Sequence, residues 1–150
     1  MKKVSVILAT FNGEKTIERT VESILGQDGV TSEFLIELIV VDDCSTDSTY
    51  QKLEKFDCIL LQNKTNSGGP NKGRNIGLDK ATGDYVCIAD QDDIWKSDRI
   101  RTLLPYLERV PIVSSGYEVL DKQLGKTIKR VKPAEKDHIY YGKSQTFLKR

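Results

Sequence analysis

Short apolar runs rich in β-branched residues alternate along the chain with polar segments whose apolar positions recur at helical spacing. This is the pattern of βαβ units and a mainly parallel sheet. Strands are predicted at Val4–Ala9, Leu35–Val41, Cys58–Gln62 and Tyr85–Ala89, with a weaker one at Ile112–Tyr117. Ile17, Val21, Ile24 and Leu25 fall at i, i+4, i+7 and i+8, so residues 14–25 read as an amphipathic helix. Ser45-Thr46-Asp47-Ser48 offers capping groups for a second helix carrying Tyr50 and Leu53. Pro70 suits the first turn of a third helix, which Ala81-Thr82-Gly83 closes. Ile100, Leu103, Leu104 and Leu107 predict a fourth, and Pro105 is expected to kink or end it early.

With 150 residues, 38% of them apolar and 30% charged, the chain is long enough for one domain with a real core and a soluble surface. The net charge is only +1, but it is uneven: from Asp121 onward nine Lys or Arg face three Asp or Glu. That basic segment reads as a solvated face or mobile tail, with contact to anionic lipid or an anionic substrate as the alternative. A nucleic-acid partner is not expected. Cys44, Cys58 and Cys87 form no CxxC pair and read as small buried residues in a reducing compartment. The N-terminal run is broken by Ser5 and lacks a cleavage pattern, so it reads as a strand rather than a leader, and no stretch is long enough to span a bilayer. A cytoplasmic location is expected, peripheral to the inner face of a membrane at most. His138, near the aromatic group Tyr140, Tyr141 and Phe147, gives little support to a histidine-based triad or zinc site.

The candidate chemistry lies where strands end. In an open parallel sheet, ligands sit outside the carboxyl ends of the strands. Thr10-Phe11-Asn12-Gly13, Asp42-Asp43-Cys44-Ser45, the loop Asn63 to Asn75 and Asp90-Gln91-Asp92-Asp93 each follow a predicted strand. Three carboxylates within four positions, Asp90, Asp92 and Asp93, repel one another unless a cation or donor groups stabilise them, and oxygen-rich clusters suit Mg²⁺ or Mn²⁺ bound together with substrate phosphates. Taken singly, Asp92 or Asp93 could instead cap a following helix, and Asp42 and Asp43 could be turn residues. The segment 66–75 brings glycines, Lys72 and Arg74 to a helix start, which is anion-binding chemistry. No G-x-G-x-x-G and no G-x-x-x-x-G-K-[ST] occurs, which argues against a dehydrogenase or a P-loop enzyme.

In order and spacing from about Val4 to Asp98, VSVILATFNGEKTIERTVESIL, ELIVVDDCSTDST and NSGGPNKGRNIGLDKATGDYVCIADQDDIW resemble the nucleotide-binding half of family 2 inverting glycosyltransferases. The DQDD-I-W variant is similar to bacterial rhamnosyltransferase-type members that build cell-surface polysaccharide. The resemblance implies a GT-A fold, α/β with a Rossmann-like, mainly parallel sheet flanked by helices and the C-terminal half truncated. Residues 1–120 would form the nucleotide-sugar-binding core, and 121–150 the start of the acceptor-side region or a mobile tail. It further implies that Ala9, Thr10 and Phe11 line the base pocket and that Asp43 pairs with the nucleobase, with Asp42 beside it. Arg74 would lie at the donor nucleotide, Asp90 would hold the ribose and assist the metal, and Asp92 would ligate Mg²⁺ or Mn²⁺. For Asp93 and Trp95 a structural role is favoured.

The reaction so implied is inverting displacement at the anomeric carbon of a UDP- or dTDP-type donor by a glycan or lipid-linked acceptor, with a carboxylate base. In such enzymes that base lies well past the acidic motif, so it is expected beyond Arg150, although Glu118 and Asp121 are available carboxylates. The competing expectation is a truncated, catalytically impaired nucleotide-sugar-binding module that acts with a partner chain, and association with a second copy is the further possibility. Cys44 stands where these proteins usually carry a small residue, often glycine. A receiver-type signalling domain also gathers carboxylates at strand ends, but Val113-Ser114-Ser115-Gly116 lacks the lysine it requires. Sugar nucleotidyltransferases share the donor fold but carry a glycine-rich phosphate loop near the first strand, which is absent here.

Overall fold

The computed structural model describes residues 1–121 and 126–131. His138, the aromatic group at 140–147 and most of the basic segment therefore lie outside the described residues. Two compact units are present, Met1–Asp98 and Arg99–Arg150.

The first unit is built on four strands, β1 (Lys2–Thr10), β2 (Phe34–Asp42), β3 (Ile59–Gln62) and β4 (Tyr85–Asp90), in the order β3-β2-β1-β4 and all parallel. Parallel neighbours require crossovers, supplied by α1 (Ile17–Leu25), α2 (Thr49–Leu53) and α3 (Pro70–Lys80). Residues Val4 to Leu8 are all buried, although successive side chains point to opposite faces, so both faces of β1 are covered. The core gathers these residues with Leu38–Val41 of β2 and Ile17, Val21 and Ile24 of α1. Helix α3 approaches closely because Gly73 and Gly77 present no side chain to the sheet. A Cβ on Gly77 would lie 2.4 Å from Ile7 Cγ2, and one on Gly73 would lie 3.0 Å from the Ala9 Cβ. The glycines cost helix propensity of about 1 kcal/mol each, and the close packing offsets it.

Several expectations are corrected. Helix α1 starts at Ile17, not residue 14, and Glu14–Thr16 form a turn. The Glu14 carbonyl accepts from Lys52 Nζ (2.8 Å), which places it in the contact between loops rather than in the helix ladder. The weak strand at 112–117 does not form as expected. Polar Ser114-Ser115-Gly116 interrupt it, and the strand that does form, β5 (Tyr117–Asp121), pairs antiparallel with β6 (Lys126–Val131) in the second unit. In the same unit α4 (Arg99–Leu107) is short but runs past Pro105, which sits in its last turn where only one ladder bond is lost. The three cysteines are only part-buried. Cys58 and Cys87 sit at and on β3 and β4, which among the described residues have a neighbouring strand on one side only.

At the opposite end of the sheet from the strand carboxyl ends, a part-buried carboxylate joins β1 and β2 to the turn before β4. Glu37 of β2 accepts from Lys3 Nζ (2.9 Å) and Ser5 Oγ (2.6 Å) of β1, and from Thr82 N (2.9 Å) and Oγ1 (2.5 Å) in the turn before β4. Burial alone would raise its pKa. The bonds from Ser5, Thr82 and Lys3 overcome that and hold it at about 2. A depressed carboxylate stabilises the fold above its unfolded pKa, and that stabilisation is lost as pH falls from about 5 toward 2. The shift corresponds to about 3 kcal/mol. Urea titrations of the wild type should therefore show stability declining across that window, whereas Glu37→Gln should be weaker at pH 7 by about 2–3 kcal/mol and have a flatter acid limb. Parallel acid limbs in the two proteins would contradict the assignment.

Candidate functional site

The parallel register brings four strand ends to one edge. Thr10 lies opposite Asp42, Ala9 opposite Asp90, and Asp42 opposite Gln62. The loops that leave this edge carry the polar clusters singled out in the sequence.

Asp42 is fully buried and committed within the protein: its carboxylate accepts from Ser45 N (3.0 Å), Ser45 Oγ and Gln62 Nε2 (2.9 Å). Asp43 donates its N–H to the Thr10 carbonyl (2.8 Å), and its carboxylate accepts from Asn63 Nδ2 (2.5 Å), Ser67 N (2.8 Å) and Ser67 Oγ (2.9 Å). Burial pushes the Asp43 pKa up, but the Asn63 and Ser67 bonds, with the charge of Lys72, leave it below the ordinary value. The next residue, Cys44, adopts φ +64°, the left-handed region that glycine enters freely. A backbone demand thus explains why a small residue, often glycine, suits the position after the paired aspartates.

On the other side of β1, Arg74 of α3 donates Nη2 to Asp90 Oδ1 at 2.6 Å. The Arg74 Nε is buried and has no hydrogen-bond partner among the described residues. An orphaned donor beside an anionic edge is costly unless something else satisfies it. Beyond β4 the chain turns, with Asp93 N donating to the Asp90 carbonyl (3.2 Å). Asp92 is exposed on this turn and makes no hydrogen bond or ion pair among the described residues. Helix α4 begins only at Arg99, so neither Asp92 nor Asp93 caps it. Trp95 is 6% exposed and its backbone N–H donates to Ser23 Oγ (3.0 Å), which is the structural role favoured for it.

Residues that sequence reasoning passed over hold these loops. Thr20, Ser23 and Gln27 of α1 and its C-terminal continuation bind the acidic segment in turn: Thr20 Oγ1 donates to the Gln91 carbonyl (2.8 Å), Ser23 Oγ accepts from Trp95 N, and Gln27 Nε2 donates to the Lys96 carbonyl (2.8 Å). Their spacing, i, i+3 and i+7, was the available signal, a polar track on one helix face. Gln91 Oε1 accepts from Thr10 Oγ1 (2.6 Å) and Phe11 N (2.9 Å), while its Nε2 donates to the Phe11 carbonyl (3.1 Å). Asn12 Oδ1 accepts from Thr46 N (2.9 Å), joining the loops after β1 and β2. Phe11 itself stays 40% exposed.

Among the described residues no three metal-ligating side chains cluster. Asp90 and Asp92 are hard oxygen donors on one exposed turn, a set that fits Mg²⁺ or Mn²⁺ when phosphate oxygens and water complete the shell.

Comparison with known proteins settles the family. The model described as "Glycosyl transferase family 2" matches residues 5–147. The chain belongs to this family. It is 40% identical over 112 residues to the poly(ribitol-phosphate) β-N-acetylglucosaminyltransferase TarS of Staphylococcus aureus, covering 72% of this chain and 19% of TarS. The structure of TarS 1-349 with UDP superposes at TM-score 0.65, covering 71% of this chain and 32% of that one. TuaG of Bacillus subtilis, a putative teichuronic acid biosynthesis glycosyltransferase, is 38% identical over 124 residues, 78% of this chain and 47% of TuaG. A mannosyltransferase from Pyrobaculum calidifontis, solved with GDP-Man and Mn²⁺, superposes at TM-score 0.66 with 27% identity, covering 80% of this chain and 36% of that one. The chain therefore spans between a fifth and a half of the length of these curated relatives. Its sheet is that of the GT-A glycosyltransferases. No helix among the described residues is long and apolar enough to cross a membrane.

For this family 2 chain the Cys44 geometry makes a testable statement. The left-handed backbone costs a side-chain-bearing residue about 1–2 kcal/mol, and glycine's larger unfolded entropy returns part of that. Cys44→Gly should gain about 0.5–1 kcal/mol, read as a thermal midpoint higher by about 2–3 °C. A lower midpoint would mean that the Sγ contact to the Lys64 carbonyl (3.8 Å) outweighs the backbone term.

Proposed function

We propose that this chain binds a nucleotide-diphosphate sugar, of UDP or dTDP type, at the carboxyl edge of its sheet, within a glycosyltransferase that transfers the sugar with inversion to a glycan or lipid-linked acceptor of bacterial surface polysaccharide. The observation that carries the reading is the Arg74–Asp90 pair, with Arg74 Nε buried and unpartnered among the described residues and Asp90 two positions before the exposed Asp92. A guanidinium with a spare buried donor at a carboxylate turn is chemistry suited to phosphate oxygens.

In this reading Ala9, Thr10 and Phe11 form the wall against the nucleobase, with the Phe11 ring offering an exposed apolar face. Asp43 accepts from the base N–H. Its low pKa keeps it an acceptor at neutral pH, and Asn63 and Ser67 hold it in place. Asp42 anchors the turn through Ser45 and Gln62. Asp90 faces the ribose and, with Asp92, would hold Mg²⁺ or Mn²⁺. When bound, that cation supplies positive charge to the leaving diphosphate. Arg74 orients the donor's phosphates and neutralises Asp90. Residues 1–120 serve as the donor-binding part and 121–150 as the beginning of the acceptor side. We assign no general base among the described residues. The TarS structure solved with UDP, and the poly(ribitol-phosphate) and teichuronic acid in the relatives' names, support the substrate class.

Calorimetric titration of the chain with UDP and with dTDP, each with and without Mn²⁺, should show saturable binding that the metal strengthens. Asp92→Ala should remove the metal-dependent part and leave the thermal midpoint unchanged, because the side chain is exposed and unbonded. Unchanged Mn²⁺-dependent affinity in Asp92→Ala would overturn its assignment as a ligand.

A further inference from the structure

Gln91 sits between two acidic residues, yet its side chain turns back to the loop after β1. Its amide orientation is set by the backbone it meets, because the Phe11 N–H can bond only an acceptor and the Phe11 carbonyl only a donor. Oε1 therefore lies 2.9 Å from Phe11 N and Nε2 lies 3.1 Å from Phe11 O, a two-point clasp on one residue. Oε1 also accepts from the buried Thr10 hydroxyl at 2.6 Å, and the Gln91 carbonyl is held by Thr20. Both ends of Gln91 are thus fixed. Gly13 is shaped around the same clasp, since a Cβ there would lie 2.8 Å from Gln91 Oε1 and 3.1 Å from Thr10 Oγ1.

We infer that Gln91 is a positioning residue that sets the nucleoside-facing loop, acting through Phe11 and Thr10, from within the acidic turn. The inference rests on the donor-binding reading above. Only a side chain of this reach with both a donor and an acceptor satisfies the Phe11 peptide. Asparagine is one methylene short, and glutamate would set an oxygen against the Phe11 carbonyl beside Asp90, Asp92 and Asp93. The clasp makes one rigid body of the wall expected to face the base and the carboxylates expected to face the metal and phosphates, so a donor finds both halves already in register.

The test uses Gln91→Met, which keeps length and loses both bonds, and Gly13→Ala, which crowds the same clasp from the other side. Two ligands separate the halves of the site: UDP or dTDP, whichever binds the wild type, and inorganic pyrophosphate, each with Mn²⁺. Both variants should bind the nucleotide about ten-fold more weakly and pyrophosphate within two-fold of the wild type. Without any ligand, the Phe11 amide of Gln91→Met should exchange with solvent at least ten-fold faster, while the Asp43 amide keeps its protection. Equal losses for both ligands, or no change in Phe11 exchange, would reduce Gln91 to a general structural role and overturn the inference. Unaltered nucleotide affinity would do the same. A wild-type chain that binds neither nucleotide would instead bring down the donor-binding reading, and this inference with it.

Discussion

The parallel pairing of β1 between β2 and β4 is the constraint on which the rest of this molecule depends. Because Thr10 is registered against Asp42 and Ala9 against Asp90, the backbone delivers two acidic loops to either side of the β1–α1 loop before any side chain acts. A slip of one residue would turn every β1 side chain to the other face. Residues Val4 to Leu8 are buried on both faces, and the Gly77–Ile7 approach leaves no room for another alignment. The Glu37 network pins the same three strands at their opposite ends.

Charge management follows from that placement. Asp42 and Asp43 are buried, and each is hydrogen-bonded by neutral donors, Ser45 and Gln62 for one, Asn63 and Ser67 for the other, with the charge of Lys72 adding to the second. Neutral donors stabilise a carboxylate while leaving lone pairs for a further partner. Asp90 instead takes Arg74, and Asp92 is left to solvent. From β2 to β4 the edge thus grades from satisfied, inward-held carboxylates to exposed ones, which suits a ligand that is neutral and planar at one end and polyanionic at the other.

Much of this was legible in the sequence. The four parallel strands announced themselves by β-branched runs, and α3 by Pro70 and its closing Ala81. What escaped reading was contact information. Ile112–Tyr117 looked like a strand because apolarity was weighed without a partner, and the strand that formed lies at Tyr117–Asp121 with β6 alongside. The helix with Pro105 is short as expected, and it runs two residues past the proline because the cost of a proline depends on how many turns follow it. Cysteine burial was overread because edge and central strands share one composition. In the site the acidic residues stood out by type, whereas Gln91, Thr20, Ser23 and Gln27 act through hydrogen bonds between segments about 70–80 positions apart; the polar track of the last three marks a helix face but not the segment it meets. Family membership rests on the ordered motifs themselves, and the structure adds how each is held.

On the proposed function, one edge of the sheet binds metal and nucleotide together, with the acidic turn and the β1–α1 loop as its two sides. Paramagnetic broadening of backbone amides by Mn²⁺, recorded on the labelled chain with and without UDP or dTDP, tests it most directly. Broadening should centre on residues 90–93, reach residues 10–13 and Arg74, and sharpen in its selectivity when the nucleotide is added. Broadening centred elsewhere in Met1–Asp98, or indifferent to the nucleotide, would contradict it.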